Sequence, residues 1–231
     1  MKPIYRPKGA AAEYGDYALN IYTGCPHRCY YCFAPQVLHR TREEFHSCVE
    51  PRQNIVAELR RQLERKNITG KLIHLCFTCD PYPTGYDTTT TREVIKALKE
   101  HGNHVQILTK GDGSRDFDLL DGDDWYGVTV SGADHDSQEP GTITEGQRLG
   151  IMRNAPCQKW VSFEPVVKQD FVLTVLSLIN TEVRVKIGKL NYHPSDIDWT
   201  KFGREAESVC RERGLDYYIK DSLRKAMGSA P

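Results

Sequence analysis

Apolar residues in this chain cluster in short runs at 18–22, 71–78, 104–109, 126–130, 160–163 and 183–187, each bounded by Gly, Pro, Asn, Asp or Ser. Such runs predict buried β-strands. Between them, apolar positions recur at helical spacing. Ile55, Val56, Leu59 and Leu63 follow Pro51, which suits a helix start, and their opposite face carries Arg60, Arg61, Glu64, Arg65 and Lys66. Thr90 and Glu93 have capping-box spacing ahead of Val94, Ile95 and Leu98, and Gly102 suits the position just past that helix. Residues 116–120 read as a short helical turn, 142–154, 170–179 and 199–213 as helices, and 217–219 as a possible last strand.

Six strand-then-helix units in series imply parallel strands joined by right-handed helical crossovers, an α/β architecture that is either a barrel or an open doubly wound sheet. In both, working residues sit on loops after the carboxyl ends of the strands. Polar residues collect there: Cys25, Cys29 and Cys32 after the first strand, Thr78 and Asp80 after the second, Lys110 after the third, Ser131 after the fourth, Glu164 after the fifth, and Lys189 with Asn191 after the sixth. One rim gathers them all.

The 231 residues suffice for one domain, expected over 1–231 with a core at about 18–220 and no room for an added substrate domain. With 39% hydrophobic and 27% charged residues, collagen-like, disordered and coiled-coil chains are excluded. The 31 basic and 31 acidic residues cancel, so no whole-molecule field draws the chain onto nucleic acid or acidic membrane. No apolar run reaches the roughly 20 residues that span a bilayer, and the first residues lack the apolar stretch of a signal peptide. A cytoplasmic location without membrane association is therefore expected. There, eight cysteines point to metal or redox chemistry rather than disulfides.

The triplet Cys25-Pro-His-Arg-Cys29-Tyr-Tyr-Cys32 is the sharpest signal. A structural zinc site takes four ligands, whereas three thiolates on a [4Fe–4S] cube leave one iron open to a substrate or cofactor. The competing reading is a zinc knob completed by His27, His39 or Cys48.

Cys-x3-Cys-x2-Cys with an aromatic, Tyr31, before the last cysteine resembles the hallmark of the radical S-adenosylmethionine (SAM) superfamily. The flanking stretches Asn20-Ile-Tyr-Thr-Gly-Cys25, Asp80-Pro-Tyr-Pro83, Leu108-Thr-Lys110, Ser162-Phe-Glu-Pro165 and Lys186-Ile-Gly-Lys-Leu-Asn191 are similar to the spore-photoproduct-lyase-like, DNA-repair-photolyase-like branch. The resemblance runs over about 18–220. It implies a partial (β/α)6 barrel and a [4Fe–4S] cluster on Cys25, Cys29 and Cys32. In that family the open iron binds SAM, and an electron from the cluster splits SAM to a 5′-deoxyadenosyl radical that abstracts hydrogen from a substrate.

The resemblance further implies SAM contacts from Tyr31, Thr78, Asp80, Lys110, Ser131 and Glu164, with Thr78-Cys79-Asp80 standing where many relatives carry Gly-Gly-Glu. It implies a flavodoxin- or ferredoxin-type electron donor. The substrate is open, a nucleic-acid lesion cleaved by a lyase being the narrower alternative and a non-catalytic Fe–S or zinc module the rival from another class.

Cys76 and Cys79 form a Cys-x2-Cys; strand alternation would place Cys76 on one face with His74, Thr78 and Asp80, and Cys79 on the other. The branch makes one of them a candidate hydrogen-atom donor, against plain packing for Cys76. Cys210 falls on the apolar side of its helix and reads as core.

Overall fold

A computed structural model describes residues 2–228. In chain order the elements are β1 (Tyr17–Leu19), α1 (Ala34–Val37), α2 (Arg42–Ser47), α3 (Ile55–Lys66), β2 (Leu72–Leu75), α4 (Thr89–Glu100), β3 (His104–Thr109), β4 (Trp125–Thr129), α5 (His135–Gln138), α6 (Glu145–Arg153), β5 (Gln158–Phe163), α7 (Gln169–Leu178), β6 (Arg184–Ile187), α8 (Trp199–Arg213), β7 (Tyr217–Ile219) and α9 (Asp221–Ala226). Short 3₁₀ segments cover Gly9–Glu13 and Ser114–Leu119.

The seven strands are all parallel and stand in the order β1 to β7. A strictly sequential order has no reversal point, so right-handed crossovers put the long connecting helices on the same side. The sheet therefore curls into an open half-barrel of the α/β class, as expected, with 217–219 as a seventh strand.

Side-chain alternation divides the strands. Ile73, Leu75, Val105, Ile107, Tyr126, Val128, Val161, Phe163, Val185 and Ile187 pack with Leu59, Leu98, Met152, Val172, Leu176, Phe202 and Cys210 of the helices into one buried core. Cys210 is thus core, as read from the sequence. The alternate positions His74, Gln106, Gly127, Trp160, Ser162 and Lys186 occupy the concave face. Gly127 has no substitute there, because a Cβ would lie 2.2 Å from the Trp160 indole nitrogen, which donates to the Ile107 carbonyl at 2.9 Å.

The amino-terminal segment closes this face. Tyr5 and Ala18 form an antiparallel bridge, and the chain then carries Tyr14 among His74, Phe77 and Trp160, at ring distances of 5.5, 5.7 and 5.9 Å. The Tyr14 hydroxyl donates to Glu164 Oε2 at 2.6 Å and lies 3.2 Å from Ser162 Oγ. Lys186 donates to the Glu13 carbonyl at 2.7 Å. Among the described residues, no helix is long and apolar enough to cross a membrane.

Five local expectations are corrected. β1 ends at Leu19, and Tyr22 instead pairs in an isolated bridge with Pro51. That bridge holds Pro51 extended, so α3 starts later, behind Asn54. Asp87, not a Thr90–Glu93 box, receives the Thr89 amide ahead of α4, and capping boxes form instead at Thr41–Glu44 and Thr144–Gln147. Residues 139–144 form an irregular strap in place of the first turn expected at 142. β2 stops at Leu75, where Cys76 turns the backbone to φ 71°. A left-handed residue breaks strand alternation, so the face shared by Cys76, Thr78 and Asp80 does not exist.

Candidate active site

The cysteine loop leaves β1 through Gly24, where a Cβ would meet the Phe45 and Cys48 carbonyls at 2.3 and 2.4 Å. This close approach anchors the loop on α2: the Cys25 amide donates to Phe45 O, His46 Nδ1 to Cys25 O at 2.7 Å, and Arg42 to Cys29 O at 2.8 Å. The three thiols face a common region. Cys32 packs both with Cys25 against Phe45 and with Cys29 against Leu190. Burial pushes all three thiols up, Cys29 to about 12, although the Lys110 ammonium counteracts it at Cys29 and Cys32.

The sulfurs are not gathered as for one small ion. Among the described residues, the trio of His, Cys, Asp or Glu ligand atoms lying within 4.8 Å of one another is His104, Asp121 and Asp123, at the amino ends of the strands. Thiolates sharing a tetrahedral zinc at 2.3 Å would lie only about 3.8 Å apart. The wider spread suits a polynuclear group.

Asp80 is the organiser of the adjoining rim. Its Oδ1 accepts from Thr109 Oγ1 at 2.5 Å and the Tyr82 amide at 2.8 Å, and its Oδ2 accepts from the Lys110 amide at 2.8 Å. The Thr84 amide donates to His27 Nε2, which leaves the His27 Nδ1 proton facing Asp80 Oδ2 at 3.4 Å. Burial would raise the Asp80 pKa, but His27, Thr109 and the Lys110 amide outweigh it and hold the carboxyl below its ordinary range. With its lone pairs so engaged, Asp80 fixes His27 to the end of β3.

Two groups beside it are unengaged by the protein. Thr78 Oγ1 is buried without a hydrogen-bond partner, its amide being held by Asn20 Oδ1 at 2.9 Å. Lys110 has no carboxylate partner among the described residues, and its Nζ stands 5.3 Å from the Tyr31 ring centroid. A hydroxyl and an ammonium without partners fit a ligand that carries a carboxylate.

Ser131 is fully buried at the end of β4. Its amide donates to Glu145 Oε1 at 2.6 Å, and its hydroxyl lies 3.1 Å from that oxygen and 3.2 Å from Glu139 Oε1. Tyr31 donates its hydroxyl to the same Glu139 oxygen, while Arg148 donates to Glu139 Oε2 at 2.6 Å. Glu139 and Arg148 escape sequence reading, since an acid beside Pro140 and an arginine on a helix carry no pattern.

Glu164 directly follows β5. Tyr14 and Lys220 both donate to its Oε2, Asn191 reaches Oε1 at 3.5 Å, and a Cβ at Gly188 would touch its carboxyl. Cys76 and Cys79 are neighbours that perturb each other's titration, and Cys79 Sγ accepts from the Tyr22 amide at 3.4 Å. Burial acts on both thiols, but the bonds Cys79 receives leave it below the ordinary thiol range and Cys76 well above.

Residues 19–156, more than half of the chain, match the family model of the Radical SAM superfamily. Uncharacterized proteins of Mycobacterium tuberculosis and Mycobacterium bovis are each 32% identical over 111 residues, covering 46% of this chain and 32% of the relative. The match thus spans about a third of those relatives' length. Among solved structures, a mutant spore photoproduct lyase with bound AdoMet and dinucleoside spore photoproduct superposes with TM-score 0.71 at 12% identity, over 92% of this chain and 78% of that one. Another mutant, with dinucleoside spore photoproduct, gives TM-score 0.69 at the same identity and coverage. At that identity the likeness speaks for the fold.

Proposed function

The chain belongs to the radical SAM superfamily, and on that premise we propose that it is an enzyme in which Cys25, Cys29 and Cys32 hold one [4Fe–4S] cluster and the neighbouring rim holds SAM. When bound, this pair supplies a 5′-deoxyadenosyl radical after one-electron reduction. The observation that carries the reading is the convergence of three thiols beside the unpaired Lys110 ammonium and the unpartnered Thr78 hydroxyl.

With SAM bound, Lys110 would pair with the carboxylate of its methionine part and Thr78 Oγ1 would supply a hydrogen bond to it. Tyr31, Ser131 and Asp80 shape this pocket; Asp80 does so by aiming Lys110 and His27, as its own oxygens are taken. Glu164, held by Tyr14 and Lys220 after β5, would contact the ribose hydroxyls of SAM or the substrate. Cys76 or Cys79 stands next to Thr78 as the candidate hydrogen-atom donor, Cys76 holding the less acidic thiol.

Residues 1–231 act as a single radical SAM domain in the cytoplasm, reduced by a flavodoxin or ferredoxin. The favoured substrate is a nucleic-acid lesion, supported by the fold shared with a lyase that binds a dinucleoside spore photoproduct.

Anaerobic reconstitution tests the reading. About four irons per chain are expected from the cube's stoichiometry, with 5′-deoxyadenosine formed on dithionite reduction with SAM. Lys110→Ala should keep the iron and weaken SAM binding by about tenfold or more, the worth of one charged hydrogen bond. One zinc per chain, or no 5′-deoxyadenosine above a Cys29→Ala control, would overturn it in favour of a structural metal module.

A further inference from the structure

We propose that Glu139, clamped by Arg148, is the positioning residue that sets the cysteine loop against the end of β4. The inference deepens the functional reading above and rests on it for its meaning to catalysis.

Glu139 is 1% exposed and Arg148 wholly buried. One carboxylate oxygen receives Tyr31 of the cysteine loop and faces Ser131 Oγ at 3.2 Å; the other receives Arg148. Three further N–H groups of the guanidinium go to the Thr129 carbonyl at 3.0 Å, the Ile143 carbonyl at 2.9 Å and Thr142 Oγ1 at 2.6 Å. With four of its five donors engaged, the rigid planar fork is held in place and orients the carboxylate.

The strap around Glu139 repeats the same connections through its backbone. The Tyr30 amide donates to Gln138 O at 3.0 Å, the Gly141 amide to His27 O at 3.2 Å, and the Ile143 amide to Lys110 O at 3.2 Å. Gly141 lies so close that a Cβ would sit 2.3 Å from the Pro26 carbonyl. One short segment therefore touches residues 26, 27, 30 and 31 of the cysteine loop, Lys110 after β3 and Ser131 after β4.

A buried ion pair that only supports the fold is present elsewhere for contrast. Asp124 is fully buried, pairs with Lys99, and accepts the Val105 and Asp121 amides at 2.7 and 2.9 Å. That pair ties the amino ends of β3 and β4.

The test compares Glu139→Gln, Tyr31→Phe and Asp124→Asn in the full chain. Hydrogen exchange of amides 25–32 is followed in the metal-free protein, and the electron paramagnetic resonance spectrum of the reduced cluster is recorded with and without SAM. Glu139→Gln and Tyr31→Phe should each speed that exchange about tenfold, the effect of one lost hydrogen bond, and alter the SAM-induced spectral change. Asp124→Asn should lower the melting temperature and leave both readouts as in the wild type.

Wild-type exchange in Glu139→Gln and Tyr31→Phe, or equal acceleration in Asp124→Asn, would overturn the proposal. Tyr31→Phe leaves the Glu139–Arg148 pair intact and decides the matter if Glu139→Gln does not fold. Should the wild type take up no cluster, the functional reading fails while the exchange measurement still judges the positioning role.

Discussion

The two faces of the sheet are made by the same strands and do opposite work. Toward the helices, Ile73, Leu75, Val105, Ile107, Val161 and Phe163 join one hydrophobic core. Toward the hollow, the intervening residues include His74, Gln106, Ser162 and Lys186 beside Trp160; His74 bonds Gln106, and Ser162 and Lys186 contact Tyr14. A period of two lets one stretch of backbone serve stability on one side and chemistry on the other. The cost of the second role is a set of polar groups that must be satisfied without water.

The largest effect expected from this division lies on the apolar face. Phe163→Ala should destabilise by about 3–5 kcal/mol, the cost of a large buried cavity, in urea unfolding. A loss under about 1 kcal/mol would mean that Phe163 contributes no more than an exposed side chain.

Next in size is His74 on the hollow face. Burial lowers its pKa to about 4, its Nδ1 lies 2.9 Å from Gln106 Oε1, and its Nε2 has no partner. Above pH 6.5 neither the folded nor the unfolded state holds the proton. As the pH falls from about 6.5 to about 4, the unfolded chain takes it up and the folded one does not, so stability drops by about 3 kcal/mol. His74→Gln should flatten that slope; a wild-type pH profile in the variant would show the hollow is wetter than its contacts imply.

The smallest effect belongs to Tyr14. Tyr14→Phe keeps the ring among its neighbours and removes the hydroxyl bonded to Glu164, which retains Lys220. A loss of about 1 kcal/mol is expected. A loss as large as that of Phe163→Ala would erase the distinction between the faces.

What could be read in advance follows the range of the interactions. Strands, most helices and the cysteine triplet are local patterns, and they stand where their spacing puts them. Cys76 defeated the reading because a non-glycine residue at φ 71° leaves no mark in composition. Tyr14 sits in a segment with no periodicity, and its partners Ser162 and Glu164 are 148 and 150 positions away. Glu139 and Arg148 are charged residues on an irregular strap and a polar helix, where pattern alone assigns them to solvent. Asp80 was legible as a rim residue, but beyond Tyr82 of its own loop its donors come from two other segments, His27 and Thr109–Lys110.

The amino-terminal segment also sets an order of assembly. Each βα unit can pack on its predecessor as the chain leaves the ribosome, since neighbouring strands are neighbours in sequence. Glu13, however, waits for the Asp221 amide, 208 positions later, and Tyr14 for Glu164. Glu13 therefore lacks that donor until residue 221 has been made, whereas the helix-facing side can be sealed strand by strand. Completion of the hollow side thus waits on contacts that reach across the whole sheet, and Glu13 and Tyr14 settle only once those distant partners are in place.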